Sequence, residues 1–150
     1  LKAVIPGGAS APVLTADEID VGCDFDDLRK AGSMGGSGAV IVLDDSDCMV
    51  ESAYVLARFF AHESCGQCTP CREGSGWLEK IFKRILDGGG ISEDIDHLIR
   101  ITQNMCGTSI CPLSEGDALP MRAFVTKFRG EFEHHIREKA CDVKLVAQAK

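Results

Sequence analysis

Three cysteines at C-x2-C-x2-C spacing are the densest group of reactive side chains in this sequence. Cys65, Cys68 and Cys71 lie within seven residues, and Cys111 follows 40 residues later, just before Pro112. Three thiolates this close together can bind three corners of an iron–sulfur cubane, and the fourth corner then needs a ligand from a distant segment. The pattern therefore favours a [4Fe-4S] cluster with four cysteine ligands.

A single zinc ion is the alternative for the same residues. Zinc could be bound by these four cysteines, or with His62 in place of one of them. Structural zinc sites usually have two separated pairs of ligands, whereas here three cysteines stand together and one stands apart, so the spacing favours the cluster. Cys106 competes for the fourth position, but the Cys-Pro pair and its loop context favour Cys111.

The residues around the cysteines suit a negatively charged centre. Gly66 allows the loop to bend, and backbone N–H groups in such a loop can point at cluster sulfurs. Cys71 is predicted at the second position of a helix, where the helix dipole favours a thiolate. Arg72 adds a permanent positive charge. Charge and hydrogen bonds to sulfur both influence the potential of a cluster, and this segment supplies both.

The other four cysteines have no common spacing. We expect Cys23 and Cys48 to be isolated, as small buried side chains or exposed thiols, and Cys141 to have no partner nearby. A total of eight could mean disulfides, but 150 residues exceed the size that needs them, and residues 1–11 do not resemble a secretory signal. A reducing compartment, with a metal or redox role for the clustered cysteines, is the prediction.

Composition and charge exclude several classes of protein. The chain is 45% hydrophobic and 26% charged, which is typical of a globular protein rather than a disordered one. Its net charge of −7 argues against sequence-independent binding to nucleic acid. No apolar run reaches the roughly 18 residues of a membrane span, so we expect no direct insertion into a membrane.

The first part of the chain is rich in glycine, proline and alanine. Short β-like runs occupy 1–5 and 39–43, and the second is entirely apolar, which predicts a strand buried on both faces. A short helix with an acidic cap is predicted over 24–31, and a glycine-rich tight turn over 32–38. Because two strands and a short helix are too few for an independent β domain, we expect residues 1–45 to end a domain that starts outside this sequence.

From Ser46 onward, apolar residues recur with a period near 3.6 and predict four helices. The first two cover about 47–63 and 70–86. The third begins with Ser92 as its N-cap and continues to about Met105, and the fourth covers about 115–139. Four helices with short connections indicate a small bundle.

Single residues refine the prediction of these helices. Thr69 is a predicted N-cap, and Ser114 with Asp117 could form a capping box. Pro120 would then force a kink or a later start of the fourth helix. Trp77 and the phenylalanines are assigned to the core, and the neighbouring His134 and His135 to the surface and edge of the last helix.

The sequence HESCGQCTPCREG at 62–74 resembles the NADH-binding flavoprotein subunit of respiratory complex I and the related subunits of NAD-linked hydrogenases and formate dehydrogenases. TSICPL at 108–113 is similar to the fourth-ligand segment of that family. Residues 3–10 and 32–42 resemble the ends of its flavin domain and its β-grasp domain. Three further matches fall in its last helix: Phe124, Phe128-Arg129 and Phe132-Glu133.

The resemblance implies a role in electron transfer. By this resemblance, Cys65, Cys68, Cys71 and Cys111 bind one [4Fe-4S] cluster that receives single electrons from reduced FMN, after hydride transfer from NADH, and passes them to clusters in partner subunits. The flavin and NADH motifs of the family lie upstream of this chain, so we expect it not to bind FMN or NADH with full affinity alone. The parent protein would be an NADH:quinone oxidoreductase or the related hydrogenase or formate dehydrogenase.

The implied partners are the upstream flavin and NADH domain, a thioredoxin-like [2Fe-2S] subunit and a multi-cluster iron–sulfur subunit. The implied location is the cytoplasm or the mitochondrial matrix, peripheral to the membrane in the case of complex I.

The expected fold is mainly α, with a partial β-grasp segment at 1–45 and a four-helix bundle that binds the cluster at 46–150. The alternative function is a zinc-stapled helical module that docks partner subunits and has no redox role.

Overall fold

The structure, a computed structural model, describes residues 1–143 of the chain. Within this range, the strands are β1 (Ala3–Ile5), β2 (Leu14–Thr15) and β3 (Ile41–Leu43), and a 3-10 turn covers Ala16–Glu18. The helices are α1 (Phe25–Lys30), α2 (Met49–Glu63), α3 (Thr69–Leu86), α4 (Glu93–Met105), α5 (Leu113–Lys127) and α6 (Arg129–Glu138). The prediction of a mainly helical fold is confirmed.

The three strands form one antiparallel sheet in the order β2–β1–β3, with Val4 paired to Val42. The central strand is buried, but Val40 and Val42 are 58% and 62% exposed. The prediction that 39–43 is buried on both faces is therefore wrong. Within residues 1–143, β3 is an edge strand that pairs only with β1, so apolar composition alone did not place it in the core.

The glycine-rich segment at 32–38 folds as the predicted tight turn against the end of β1. The Ser37 N–H donates to the Gly7 carbonyl at 3.0 Å, and the Gly8 N–H donates to the Ala39 carbonyl at 2.7 Å. Gly36 has a φ of +43°, and a Cβ there would collide with the Gly7 carbonyl. These contacts join the turn to the sheet.

The core lies where α2 and α4 pack against α3 and α5. Its largest buried side chains on these helices are Met49, Leu78, Phe82, Ile85, Ile95, Leu98, Met105, Met121 and Phe124. α6 covers one end of this core, where the Phe132 ring lies 5.9 Å from the Phe82 ring. Burying each such side chain contributes about 1.5–3 kcal/mol, and the core thereby holds the helix ends that carry the cysteines.

The predicted fourth helix at 115–139 is two helices in the structure. The break falls at Phe128, where the backbone has a φ of −112° and a ψ of 28°, and not at Pro120, which lies inside α5. The Phe128 N–H still donates to the Phe124 carbonyl at 3.0 Å. Their rings lie 6.4 Å apart, so the packing of Phe128 accompanies the turn from α5 into α6.

Two predicted caps are wrong and one is confirmed. The N-cap of α3 is Cys68 rather than Thr69, whereas Ser92 is the N-cap residue of α4 as predicted, although its side chain makes no capping bond. The Ser114 hydroxyl donates to the Met105 carbonyl at 3.0 Å instead of joining a capping box, and Asp117 is buried without a hydrogen-bond partner in residues 1–143. Here tertiary packing uses the side chains that local rules assign to the helix ends.

Trp77 is 51% exposed, so its assignment to the core is wrong, as it is for Phe25 and Phe59. Trp77 lies on the outer side of α3, beside Ile101 of α4. The four phenylalanines at 60, 82, 124 and 132 are buried as predicted. No helix in residues 1–143 is both long enough and apolar enough to span a membrane.

Candidate metal centre

The connection between α2 and α3 carries the first two cysteines of the motif. Cys65 is exposed, and Cys68, at the N-cap position of α3, is partly buried. Gly66 has a φ of +78°, a left-handed conformation that favours glycine. The predicted bend of the loop at Gly66 is therefore present, and it lies between the two thiols.

Cys71 is the third residue of α3, one position later than predicted, and its side chain is buried. The Ser64 hydroxyl lies 3.3 Å from the Cys71 sulfur, and the Ser75 hydroxyl donates to the Cys71 carbonyl at 2.7 Å. The first turn of a helix has unpaired N–H groups and the positive end of the helix dipole. Both place positive partial charge beside the Cys71 side chain.

Arg72 spans the loop on its exposed side. Its Nη1 donates to the Gly66 carbonyl at 2.6 Å, and its Nε donates to the Glu73 carboxylate at 3.0 Å. The guanidinium therefore fixes the curl of the loop and places a positive charge beside it. Glu73 partly compensates that charge.

The segment of Cys111 lies against this loop although it is distant in sequence. The Ile110 N–H points at the Cys68 sulfur at 3.5 Å, across 42 residues of chain. Cys111 is exposed and stands two residues before α5 begins at Leu113. The chain reaches this place through Gly107, which has a φ of +70° and donates its N–H to Glu115 at 2.9 Å.

Cys106 and His62, the alternative ligands, are not in contact with the loop thiols in residues 1–143. Cys106 ends α4, and its partly buried side chain packs against the hydrophobic core. The His62 side chain is exposed and pairs with Glu63 at 3.0 Å. The structure therefore brings the neighbour of Cys111 to the cysteine loop, and no contact joins Cys106 or His62 to the loop thiols in the described residues.

The donor set suits an iron–sulfur cluster. Three thiols come from one loop and helix start, a fourth stands in the adjacent segment, and an N–H group already points at one of the sulfurs. Cysteine thiolates bind iron in such clusters, and N–H groups directed at sulfur stabilise the negative charge that they share. Cys65 and Cys111 are exposed, which leaves one side of the site open to solvent.

A second group of ligand-type side chains was missed at the sequence level. The ligand atoms of Cys48, His135 and Cys141 lie within 4.8 Å of one another. The expectations that Cys48 is isolated, that Cys141 has no partner nearby and that His135 lies at the helix surface are therefore wrong. One signal was available, because His135 falls on the apolar stripe of the last helix together with Phe132.

The family model described as NADH-ubiquinone oxidoreductase-F iron-sulfur binding region matches residues 51–135, more than half of the chain. The chain belongs to this family. The resemblance inferred from the cysteine motif is thereby confirmed, and with it the expectation of an iron–sulfur binding region.

Similar proteins from several bacteria carry matching names. The F 2 subunit of NADH-quinone oxidoreductase from Rhizobium meliloti (strain 1021) is 50% identical over 141 residues, which are 94% of this chain and 34% of that protein. The F subunit of NADH-quinone oxidoreductase from Rickettsia felis is 43% identical over 137 residues, which are 91% of this chain and 32% of that protein. The chain thus spans about a third of the length of these curated relatives.

A solved structure extends the similarity to the fold. A chain of an NAD+-reducing [NiFe]-hydrogenase in the H2-reduced state matches with a TM-score of 0.80 and 31% identity. The match covers 90% of this chain and 23% of the hydrogenase chain. Proteins similar to this chain therefore carry the names of two different oxidoreductases.

Proposed function

We propose that this chain is an electron-transfer module that holds one [4Fe-4S] cluster on Cys65, Cys68, Cys71 and Cys111. The observation that carries this proposal is the 3.5 Å contact between the Ile110 N–H and the Cys68 sulfur. This contact brings the segment of the fourth cysteine beside the loop of the first three. Membership of an iron–sulfur binding family supports the choice of iron over the zinc-stapled docking module.

The residues around the proposed ligands have separate roles. A [4Fe-4S] cluster supplies one-electron redox chemistry when it is bound. The start of α3 stabilises negative charge at Cys71, and the Ile110 N–H does so at Cys68. Arg72 holds the loop closed through the Gly66 carbonyl. The Cys71 side chain is itself buried, which limits the access of water to the inner side of the site.

The function of the whole protein follows as part of the same proposal. We infer that the chain works between reduced FMN, bound with NADH by an upstream domain, and the clusters of a thioredoxin-like [2Fe-2S] subunit and a multi-cluster subunit. The similarity to NADH-quinone oxidoreductase subunits and to the hydrogenase supports a place in such a multisubunit oxidoreductase. Its location would be peripheral to the membrane, in the cytoplasm or the mitochondrial matrix.

We further propose the domain division that the sequence indicates. Residues 1–45 would be the end of a β-grasp domain, and residues 46–150 a helical domain in which α2 to α5 form a four-helix bundle. The exposed outer side of β3 supports the first part of this division, because a sheet face rich in valine is expected to pack against further structure.

The test compares two cysteine variants of anaerobically prepared protein. We expect about four iron and four acid-labile sulfide atoms per chain in the unaltered protein. Cys111→Ser should lose the cluster or convert it to a form with less iron, and Cys106→Ser should leave iron, sulfide and visible absorption unchanged. The reverse result would reject Cys111 as a ligand, and a colourless protein without sulfide would reject the cluster itself.

A further inference from the structure

A cysteine, a histidine and a second cysteine meet at the end of the molecule formed by the start of α2 and the end of α6. Cys48 is the N-cap residue of α2, His135 lies in the last turn of α6, and Cys141 follows that helix. Their ligand atoms lie within 4.8 Å of one another. Cys48 and His135 are only 4% and 1% exposed, and Cys141 is partly buried.

The imidazole of His135 is held in the orientation of a ligand. Its Nδ1 lies 2.8 Å from the Glu131 carbonyl, and a carbonyl only accepts hydrogen bonds, so Nδ1 carries the proton. The lone pair of neutral His135 is then on Nε2, which faces the Cys48 sulfur at 3.4 Å. A backbone carbonyl behind the distal ring nitrogen is the usual support of a metal-binding histidine.

Contacts outside the three ligands hold the group together. Glu131 accepts the Met49 N–H at 3.1 Å with one carboxylate oxygen and pairs with Lys2 at 2.7 Å through the other. The Cys48 sulfur accepts the Glu51 N–H at 3.5 Å. These bonds tie α6 to the start of α2 and place Cys48 opposite His135 independently of Cys141.

We propose that Cys48, His135 and Cys141 bind a zinc ion, at a site distinct from the cysteine loop. Two thiolates and one neutral imidazole are a donor set that zinc favours, and a simple thiol–imidazole hydrogen bond would not require the second thiol. Four ligands around zinc lie about 3.8 Å apart, so small side-chain movements from the present spacing complete the geometry. Within residues 1–143 the group has three ligand atoms, and the fourth position takes water or another ligand from outside them.

The site would join the segment after α6 to the start of α2. Helix α6 ends at Glu138, and the next residue, Lys139, has a left-handed backbone. Cys141 follows two residues later and packs against the hydrophobic core. Zinc binding therefore fixes the path of the chain beyond the iron–sulfur binding region. This role is structural and needs no electron transfer.

The test measures zinc and iron separately in anaerobically purified protein. We expect about one zinc per chain, retained on dialysis, with an X-ray absorption spectrum at the zinc edge that shows sulfur at about 2.3 Å and nitrogen at about 2.0–2.1 Å. Cys141→Ser and His135→Gln should lower zinc content by about tenfold or more, since loss of supporting groups alone costs that much affinity. Iron and sulfide should stay unchanged in Cys141→Ser.

Two matched variants act as controls. His134→Gln changes the neighbouring histidine, Cys23→Ser changes an exposed cysteine, and both should retain zinc. Cys141→Ser is the decisive variant, because it alters a partly buried residue after α6 and should leave the fold intact. The proposal fails if the unaltered protein retains no zinc, if zinc survives Cys141→Ser and His135→Gln, or if Cys48 and Cys141 are found in a disulfide. Because iron and zinc are counted separately, these failures differ from failure of the cluster.

Discussion

The cysteine loop and the Cys48–His135–Cys141 group use similar ligand atoms in opposite ways. Cys65, Cys68 and Cys71 are close in sequence, surround a glycine turn and lie at a surface that remains partly open. In the second group, Cys48 is separated from His135 by 87 positions, and both are buried where two helix ends meet, with Cys141 partly buried beside them. The first arrangement suits the proposed cluster, which exchanges electrons with a partner. The second suits the proposed zinc ion, which holds the segment after α6 against the start of α2.

The largest expected effect is a change in metal content that differs between variants of the two regions. Cys71→Ser should abolish the iron–sulfur absorption, because Cys71 is the buried proposed ligand at the start of α3 and serine is a poor replacement for a thiolate. Cys48→Ser should leave iron and sulfide at the level of the unaltered protein and remove zinc. Elemental analysis of both variants checks this, and equal loss of iron from the two would show that the regions are not independent.

The same contrast explains what the sequence could predict. The bend of the cysteine loop and the helix start after it were predictable because Gly66 and the helix-start residues act locally, whereas the role of the closely spaced cysteines as ligands stays a prediction. The helices α2, α3 and α4 were predictable because their apolar residues recur with the helical period. The second group depends on how α6 packs beside the start of α2, which no local pattern encodes.

The errors at single residues have the same origin. Phe128 and not Pro120 ends α5, because packing against Phe124 decides where the chain turns. Trp77 shares its helix with core residues, but its place at the edge of the stripe leaves it half exposed. The apolar 39–43 segment has no cover on its outer face within residues 1–143. In each case tertiary contacts, rather than local preference, set the outcome.

The next expected effect is a change of stability with pH. It arises from a buried carboxyl that, unlike His135, has no hydrogen-bond partner within residues 1–143. Asp117 in α5 is 1% exposed, and burial raises its pKa from 3.8 to about 8. Between these values the folded protein keeps a proton on Asp117 that the unfolded chain releases. The contribution of Asp117 to stability is therefore greatest below the lower value and falls as pH rises through this interval, by up to about 1.4 kcal/mol per pH unit.

Asp117→Asn should remove this dependence while keeping the size of the side chain. We expect the variant to be more stable than the unaltered protein at pH 7 by a few kcal/mol, and the difference to shrink towards pH 4. Urea unfolding of both proteins at pH 5 and pH 7 measures it. An equal pH slope in the two proteins would show that the Asp117 carboxyl is ionised and paired in the folded state.

A smaller effect tests the electrostatics of the cysteine loop. Arg72→Gln should lower the midpoint potential of the bound cluster by on the order of tens of millivolts, because reduction adds negative charge that the guanidinium stabilises. The effect is limited because Glu73 pairs with Arg72. Arg72→Lys keeps the charge and should restore most of the potential. A redox titration that finds Arg72→Gln unchanged would assign Arg72 to loop geometry alone.

The smallest expected effect lies on the outer face of α3, the helix that begins at the cysteine loop. Trp77→Ala should change the free energy of unfolding by about 1 kcal/mol or less, because half of the side chain is already in water. Leu78→Ala is the matched control at the next position, where the side chain is fully buried and its loss should cost about 2–5 kcal/mol. Urea unfolding and metal analysis of the two variants measure this difference. If Trp77→Ala cost as much as Leu78→Ala, Trp77 would be part of the core despite its exposure. If it lowered iron and zinc content together, the outer face of α3 would support both sites, and the separation between them would not hold.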